Sequence, residues 1–427
     1  MSAARERVWL ALCVGVLALG FMATAAAAGG GVAPSVVVFG IALSFVPYAG
    51  TMAFSRVLGD VPRPAFVAAA ATTALGAIWL FAPPVLSDDL YRYLWEGRLW
   101  LEGLNPYDTP PDDASLAPLR DDVWSSINNK PLASVYPPLS QLLVTIAAWS
   151  GAGALAVKLI ALAGLAATAG LVARVTGDVR VALGVGFNPL LSSESALNGH
   201  FDALVGAAFL TIAWALSKHR FARAGVAVCV AVGLKVVGLI ALPLLWRRPR
   251  VLVATGLASA LLLVPLAASR DLADASSGAG QFAARWQGND SVFAIADWLS
   301  RLLFADPVAG LVARMMVAVT LLVVVATLVK RRVPAVLATR VLLWTVLLLS
   351  PQVHPWYLAW LLPLELAAGG RAALIWSAAV LCAYVPLDGW VERGVWEMPP
   401  SIQILEYSVV AAALFADYFR KNSSHLG

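Results

Sequence analysis

The chain has 427 residues, of which 60% are hydrophobic and 13% charged, with a formal net charge of +5. A soluble domain carries about 25% charged residues, so this composition excludes an ordinary water-facing surface and points to helices in lipid. The positive balance then reflects cytoplasmic Lys and Arg more than nucleic-acid binding. Apolar runs recur at 8–28, 35–54, 63–83, 250–269, 307–329 and 401–416. Most approach the roughly 20 residues that a spanning helix needs. Regular β alternation is absent, which argues against a barrel. The expected fold is all-α: one integral membrane domain over 1–427, a polytopic transmembrane bundle of about 11–14 membrane segments, some broken or re-entrant.

Arg5 and Arg7 followed by an apolar stretch and an Ala-rich end resemble a secretory signal peptide, but the run 8–28 is long for a signal core. A retained first helix is the expectation. Positive residues mark cytoplasmic loops, so Arg5, Arg7, Arg56 and Arg63 place the N-terminus and the loop after the second helix inside. The loop 84–135 is then extracytoplasmic, and its nine acidic residues against four basic ones suit export. Arg174 with Arg180, Lys218–Arg223, Arg247–Arg250, Lys330–Arg332 and Arg420–Lys421 read as inside. Between Arg223 and Arg247 lies only one helix's worth of apolar sequence, interrupted at Gly233-Leu-Lys235. Two cytoplasmic ends around it require a pair of short helices that enters and returns. The segment 137–150 cannot cross fully for the same reason. Broken helices are tolerated where they line a polar cavity. This topology puts 87–107, 198–202, 281–293, 351–357 and the Lys235 tip on the outer face, with 270–306 as a second outer loop.

The first outer loop opens Ser87-Asp-Asp-Leu-Tyr-Arg-Tyr-Leu-Trp-Glu-Gly97 and continues through Gly103-Leu-Asn-Pro-Tyr107. As a helix, Asp88, Arg92 and Trp95 share one face, and Asp89, Tyr93 and Glu96 a neighbouring one. Aromatic rings beside carboxylates suit a sugar ring at a membrane interface. A purely structural account also exists: Ser87 is a plausible N-cap, and two acids in a first turn complement the helix dipole. Cys13, Cys229 and Cys382 lie in apolar runs with no metal-like spacing, and the four histidines are scattered. No metal and no cofactor are expected.

An acidic pair opening the first outer loop resembles the GT-C superfamily of polyprenyl-phosphate-sugar-dependent glycosyltransferases. The fuller run is similar to bacterial polyprenyl-phosphate-mannose-dependent mannosyltransferases. Further pieces follow in order: Tyr136-Pro-Pro-Leu139, Asn198-Gly-His-Phe-Asp202, Gly233-Leu-Lys235, Trp286-Gln-Gly-Asn-Asp-Ser291 and His354-Pro-Trp-Tyr357. The resemblance implies transfer of a sugar, mannose foremost, to a lipid or glycan acceptor at the extracytoplasmic face of the cell inner (plasma) membrane, by inverting displacement. It assigns the base to Asp88, with Asp89 orienting that base or holding a sugar hydroxyl. The leaving lipid phosphate needs positive charge, for which Arg92, Lys235, Arg285 and His354 are candidates. Lys235 stands out because a charge inside an apolar run is expensive and usually functional, although snorkelling would also place it there. Sugar or acceptor contacts fall to Tyr93, Glu96, Asn105, Tyr136, Asn198, His200, Asp202, Trp286, Asn289, Asp290, Trp356 and Tyr357. Several of these have ordinary readings as caps, turns or interface anchors. A polytopic transporter or flippase of a lipid-linked sugar is the alternative, since broken helices with a mid-membrane Lys fit that class too.

Overall fold

The structure, a computed structural model, describes residues 2–267 and 286–423. Among them the only β-pairing outside helices is an isolated parallel bridge, Gly288 with Gln352. Seven helices are long and apolar enough to cross a membrane: Ala3–Gly29, Pro34–Leu58, Ala154–Thr176, Pro249–Leu266, Val308–Lys330, Ala372–Arg393 and Pro400–Arg420. Six shorter apolar helices accompany them. The chain is a polytopic helical membrane protein, as its composition requires. Its outer helices display large apolar side chains, such as Leu19, Phe39 and Val46, that water would penalise and lipid does not. The described residues form two compact units: Met1–Leu94, Ser150–Ala207 and Leu358–Gly427 make the first, and Trp95–Trp149 with Ala208–Tyr357 the second.

In the first unit, Ala3–Gly29 packs against Pro34–Phe54. Small residues set their separation: a β-carbon at Gly50 would meet Cys13 Sγ at 2.6 Å, and one at Gly40 would collide with Thr24. Lipid supplies no hydrophobic drive between helices, so close backbone approach of this kind is what holds them. The centre of the unit is Ala154–Thr176, which is buried over more than half its length. It packs against Pro64–Gly76, Val179–Gly186, Pro189–Ala196 and Leu358–Ala367. Lys158, buried on that central helix, donates to the carbonyl of Ala82, six residues ahead of the acidic pair. All eight residues of Pro189–Ala196 are buried, Glu194 included. Asn188 caps this helix, accepting from Leu191 N at 3.2 Å, and Pro189 takes the first helical position, where its missing N–H is not needed.

In the second unit, Phe221–Leu234 stops where the charge pattern requires. Lys235 is extended, with φ −150° and ψ 133°, and a ten-residue 3-10 helix, Val236–Leu245, follows. That helix turns back on its predecessor so closely that a β-carbon at Gly238 would lie 2.6 Å from the carbonyl carbon of Ala231. Fourteen α-helical residues span about 21 Å, short of the roughly 30 Å hydrocarbon core. The twelve-residue Pro138–Trp149 is shorter still, and it packs on Phe221–Leu234. Of the segment 270–306, residues 270–285 lie outside the described residues. Val292–Arg301 is helical, with Phe293 buried against Ala313, and Ile295 and Trp298 exposed. The segment 84–135 carries Ala114–Leu119 and Asp122–Ser125 as short helices, each started by an aspartate cap: Asp113 and Asp121.

Candidate active site

The acidic pair opens the helix Asp89–Leu101. Ser87 serves as a cap, as expected. Asp88 occupies the position before the first helical residue, its carbonyl accepting from Tyr91 N at 3.0 Å, while Ser87 Oγ accepts from Asp89 N at 3.2 Å. Both carboxylates remain partly open to solvent. Burial, and then the Asp88 charge, raise the Tyr91 hydroxyl above its ordinary pKa, so Asp88 and Tyr91 are electrostatic neighbours.

Behind Asp89 lies a buried chain of polar groups within the first unit. His200 Nε2 is 3.6 Å from Asp89 Oδ2, and His200 Nδ1 is 2.9 Å from Glu194 Oε2. Asn198 Nδ2 donates to the same Glu194 oxygen at 3.2 Å, and the Tyr384 hydroxyl donates to Glu194 Oε1. His200, Glu194, Asn198 and Tyr384 are all buried. Burial alone would lower the pKa of His200, but Asp89 and Glu194 outweigh it and raise the imidazole to about 9. His200 is therefore a cation at neutral pH. Asn198 also accepts from Leu86 N at 3.4 Å, which ties the start of the acidic loop to this group. Asp202 is buried and accepts from Trp360 Nε1 at 2.6 Å. Tyr93 is buried and stacks on Phe201, centroids 5.4 Å apart. Asn198, His200, Asp202 and Tyr93 were expected to touch sugar or acceptor. Their side chains have the protein partners just described.

Glu96 belongs to a second buried group, in the second unit. It accepts from Ser134 Oγ at 2.8 Å and Gln141 Nε2 at 2.5 Å, and Gln141 accepts from Trp100 Nε1 at 2.8 Å. This group ties the helix Asp89–Leu101 to Ser134 and to Pro138–Trp149. Asn105 is likewise engaged locally, donating to Asp108 at 2.7 Å and accepting from Tyr107 N at 3.1 Å. Tyr136, partly exposed, accepts the Tyr107 hydroxyl through its carbonyl at 2.7 Å. Arg92 is buried.

The second unit also brings three sequence-distant motifs together. Gly288 N donates to Pro351 O at 2.9 Å, and Val353 N to Gly288 O at 3.1 Å, pairing the Trp286 and His354 segments. Asn289 is buried in the left-handed region (φ 49°) and donates to Val353 O at 3.5 Å. Asp290 is buried and accepts from Gln287 at 2.9 Å; Trp286 is half-buried. His354 stacks flat on Trp356 at 4.3 Å and meets Tyr357 edge-on at 5.2 Å. Lys235 Nζ lies 4.9 Å from the Tyr357 ring centre. Lys235 and His354 thus share one aromatic wall, with the Lys235 ammonium over the Tyr357 ring. Arg285 lies outside the described residues. Among the described residues, no three His, Cys, Asp or Glu side chains are placed to hold a metal ion.

Glu194, Tyr384 and Trp360 were not singled out from the sequence. Glu194 sits among Ser192, Ser193 and Ser195, and neither it nor the two aromatics carried a sequence signal.

The profile of the MptA_B family, alpha-(1->6)-mannopyranosyltransferase, N-terminal domain, matches residues 8–248. The chain belongs to this family. Within the curated proteins it is similar to alpha-(1->6)-mannopyranosyltransferase A of Corynebacterium glutamicum, 28% identical over 173 residues, 38% of this chain and 35% of the relative. The chain thus spans about a third of the length of that curated relative. No solved structure matches. The mannopyranosyltransferase match covers the acidic pair, Glu194, His200 and Lys235. It stops short of Tyr384, Trp360 and the 286–357 wall, which complete the groups described above.

Proposed function

We propose that the chain transfers a mannosyl residue from a polyprenyl-phosphate donor to a lipid or glycan acceptor at the extracytoplasmic face of the cell membrane. The observation that carries this reading is the family match across Asp88, Asp89 and Lys235. In the proposed step, the acceptor oxygen bonds to the anomeric carbon while its proton passes to Asp88. The bond from that carbon to the phosphate oxygen breaks, and configuration inverts. General-base help makes the hydroxyl a better nucleophile as it attacks. The lipid phosphate leaves with its developing charge balanced by Lys235, with His354 and Arg92 in support. Trp356, Tyr357 and Trp286 offer ring faces for sugar or lipid.

The direct test incubates purified protein with radiolabelled polyprenyl-phosphate mannose and envelope glycolipids. Label should move covalently to an acceptor, with the anomeric configuration opposite to that of the donor. Label that crosses a vesicle bilayer with no covalent product would instead identify a transporter.

Two further outcomes follow from this reading. Ser115 is exposed in the loop 84–135. Ser115→Cys should react with an impermeant thiol reagent in intact cells or spheroplasts, over the background of half-buried Cys13, Cys229 and Cys382. Labelling only after the inner membrane is opened would reverse the sidedness. Lys235→Ala should reach the membrane at near-normal levels and lower kcat/KM for the donor about tenfold or more, since hydrogen bonds to charged groups are worth about 1.5–3 kcal/mol. Unchanged donor kinetics would return Lys235 to a snorkelling role.

A further inference from the structure

One end of the second unit concentrates positive charge. Lys218, Arg220, Arg223, Arg247, Arg248 and Arg250 are all exposed, and no Asp or Glu occurs from 203 to 270. Phe221–Leu234 and Pro249–Ala267 run side by side in the same direction. A β-carbon at Gly225 would meet Thr255 Oγ at 2.5 Å and Val251 at 3.4 Å, and one at Gly233 would meet Leu262 at 2.7 Å. Both helix N-termini therefore lie at the basic end. A helix N-terminus carries partial positive charge and favours acids in its first turn. Neither of these first turns holds an acid; they hold Arg223 and Arg250 instead. Trp214 faces Arg220 and Arg223, with guanidinium carbons 5.2 and 5.6 Å from the ring centre, and Phe221 faces Arg248 at 4.7 Å. Ring faces hold such cations in place without neutralising them. Among the described residues, none of the six takes part in an ion pair.

From this end an apolar groove of about 660 Å³ runs between the two helices and Pro138–Trp149. Arg250 is the charged residue of its lining, and its far end lies at Leu139 and Leu262. Val226, Val230, Ala254 and Ala258 line it and are exposed, so it opens sideways to lipid. From Arg250 to Leu262 the helix rises about 18 Å, on the scale of one leaflet of the roughly 30 Å hydrocarbon core. An unfilled groove forfeits dispersion contacts, so a chain fills it, and the charge at its mouth selects which. We propose that the groove and its basic rim bind an anionic phospholipid, with one acyl chain in the groove and the phosphate at Arg250 and the two helix N-termini. The donor's phosphate is a different case. Lys235, proposed above to balance it, follows the C-terminal end of Phe221–Leu234, whereas Arg250 lies by its start. An anion at the rim offsets the repulsion among the six cations and steadies the short helix that ends at Lys235.

The test uses the full chain in nanodiscs of mixed phosphatidylglycerol and phosphatidylcholine. Native mass spectrometry after gentle release should find phosphatidylglycerol retained about tenfold or more over phosphatidylcholine. Arg250→Gln should lower that preference about fivefold, the weight of one basic residue against an anionic headgroup. A phosphatidylglycerol with a photoactivatable acyl chain should crosslink within 222–230 and 250–262. Ala258→Trp fills the groove from an exposed position and should remove both the crosslinks and the preference. Equal retention of the two lipids, as charge serving orientation alone would give, overturns the site. So do crosslinks that persist in Ala258→Trp. Crosslinks cleared by excess polyprenyl phosphate but not by excess phosphatidylglycerol overturn it too, because the groove would then hold the donor's tail. If Arg250→Gln fails to insert, an Ala258→Trp protein with the parental preference overturns the proposal just as well. None of these readouts needs transfer, so a protein that holds phosphatidylglycerol and moves no mannose would sink the transferase reading alone.

Discussion

Asp88→Asn is expected to lower mannosyl transfer by about 10²–10⁴-fold, the range that general-base assistance supplies. The fold should survive, because Asp88 holds the position just before the helix Asp89–Leu101, where Asn caps as well as Asp. Its carbonyl bond to Tyr91 N is a backbone bond that the substitution keeps. What disappears is a carboxylate lone pair basic enough to accept a proton. Donor KM should change far less than kcat, since the loss is confined to the transition state. Thermal unfolding in detergent checks folding, and steady-state transfer from polyprenyl-phosphate mannose checks turnover. A folded Asp88→Asn protein with parental turnover removes the assignment. If Asp89→Asn were dead and Asp88→Asn active, the base would move by one residue.

Glu194→Ala is expected to cost about 3–5 kcal/mol of stability, as removing one member of a buried charged pair does. The deletion strips partners from the Tyr384 hydroxyl, Asn198 and His200 Nδ1 at once. Unfolding with increasing SDS or guanidinium in detergent measures it. Glu194→Gln, which keeps an acceptor in place, should cost less. The effect also has a pH signature. Although burial opposes it, Asp89 and Glu194 raise His200 in the folded state to about 9, against an ordinary value of 6.5. The folded state therefore binds the proton more tightly, and this stabilisation is fully present below about pH 6.5 and lost as pH rises through 9. Parent stability should decline across that window, and Glu194→Ala should show a flatter curve. A Glu194→Ala protein as stable as the parent, with the same pH slope, would show that the group carries no folding energy.

The membrane class was legible in composition alone, and so were the helix breaks. Two Arg clusters too close together around Gly233-Leu-Lys235 required a short pair, and Phe221–Leu234 ends there. The start of the acidic helix was legible to within one residue, with Ser87 accepting from a first-turn N–H. Ser87, Asp88 and Asp89 compete for the same few N–H groups, and side-chain type alone does not decide such contests. The aromatic wall was half legible: its residues could be named, but not their meeting. Gly288 pairs with the 351–353 segment through backbone atoms only, and no side-chain pattern encodes such pairing. The buried group was the least legible part. Asn198, His200 and Asp202 read as polar residues at an open helix start, since Glu194, which engages the first two, was not singled out; Trp360 lies 158 residues beyond Asp202, and Tyr384 lies 190 beyond Glu194.

That last separation has a consequence for biogenesis. At about 5–20 residues per second, the ribosome needs roughly 10–40 s to reach Tyr384 after it has made Glu194. For that interval the acid is already in the nascent chain while one of its three donors does not yet exist. The first unit is closed only by its third stretch, from Leu358 onward. The insertion machinery therefore handles a polar centre that still lacks one of its donors.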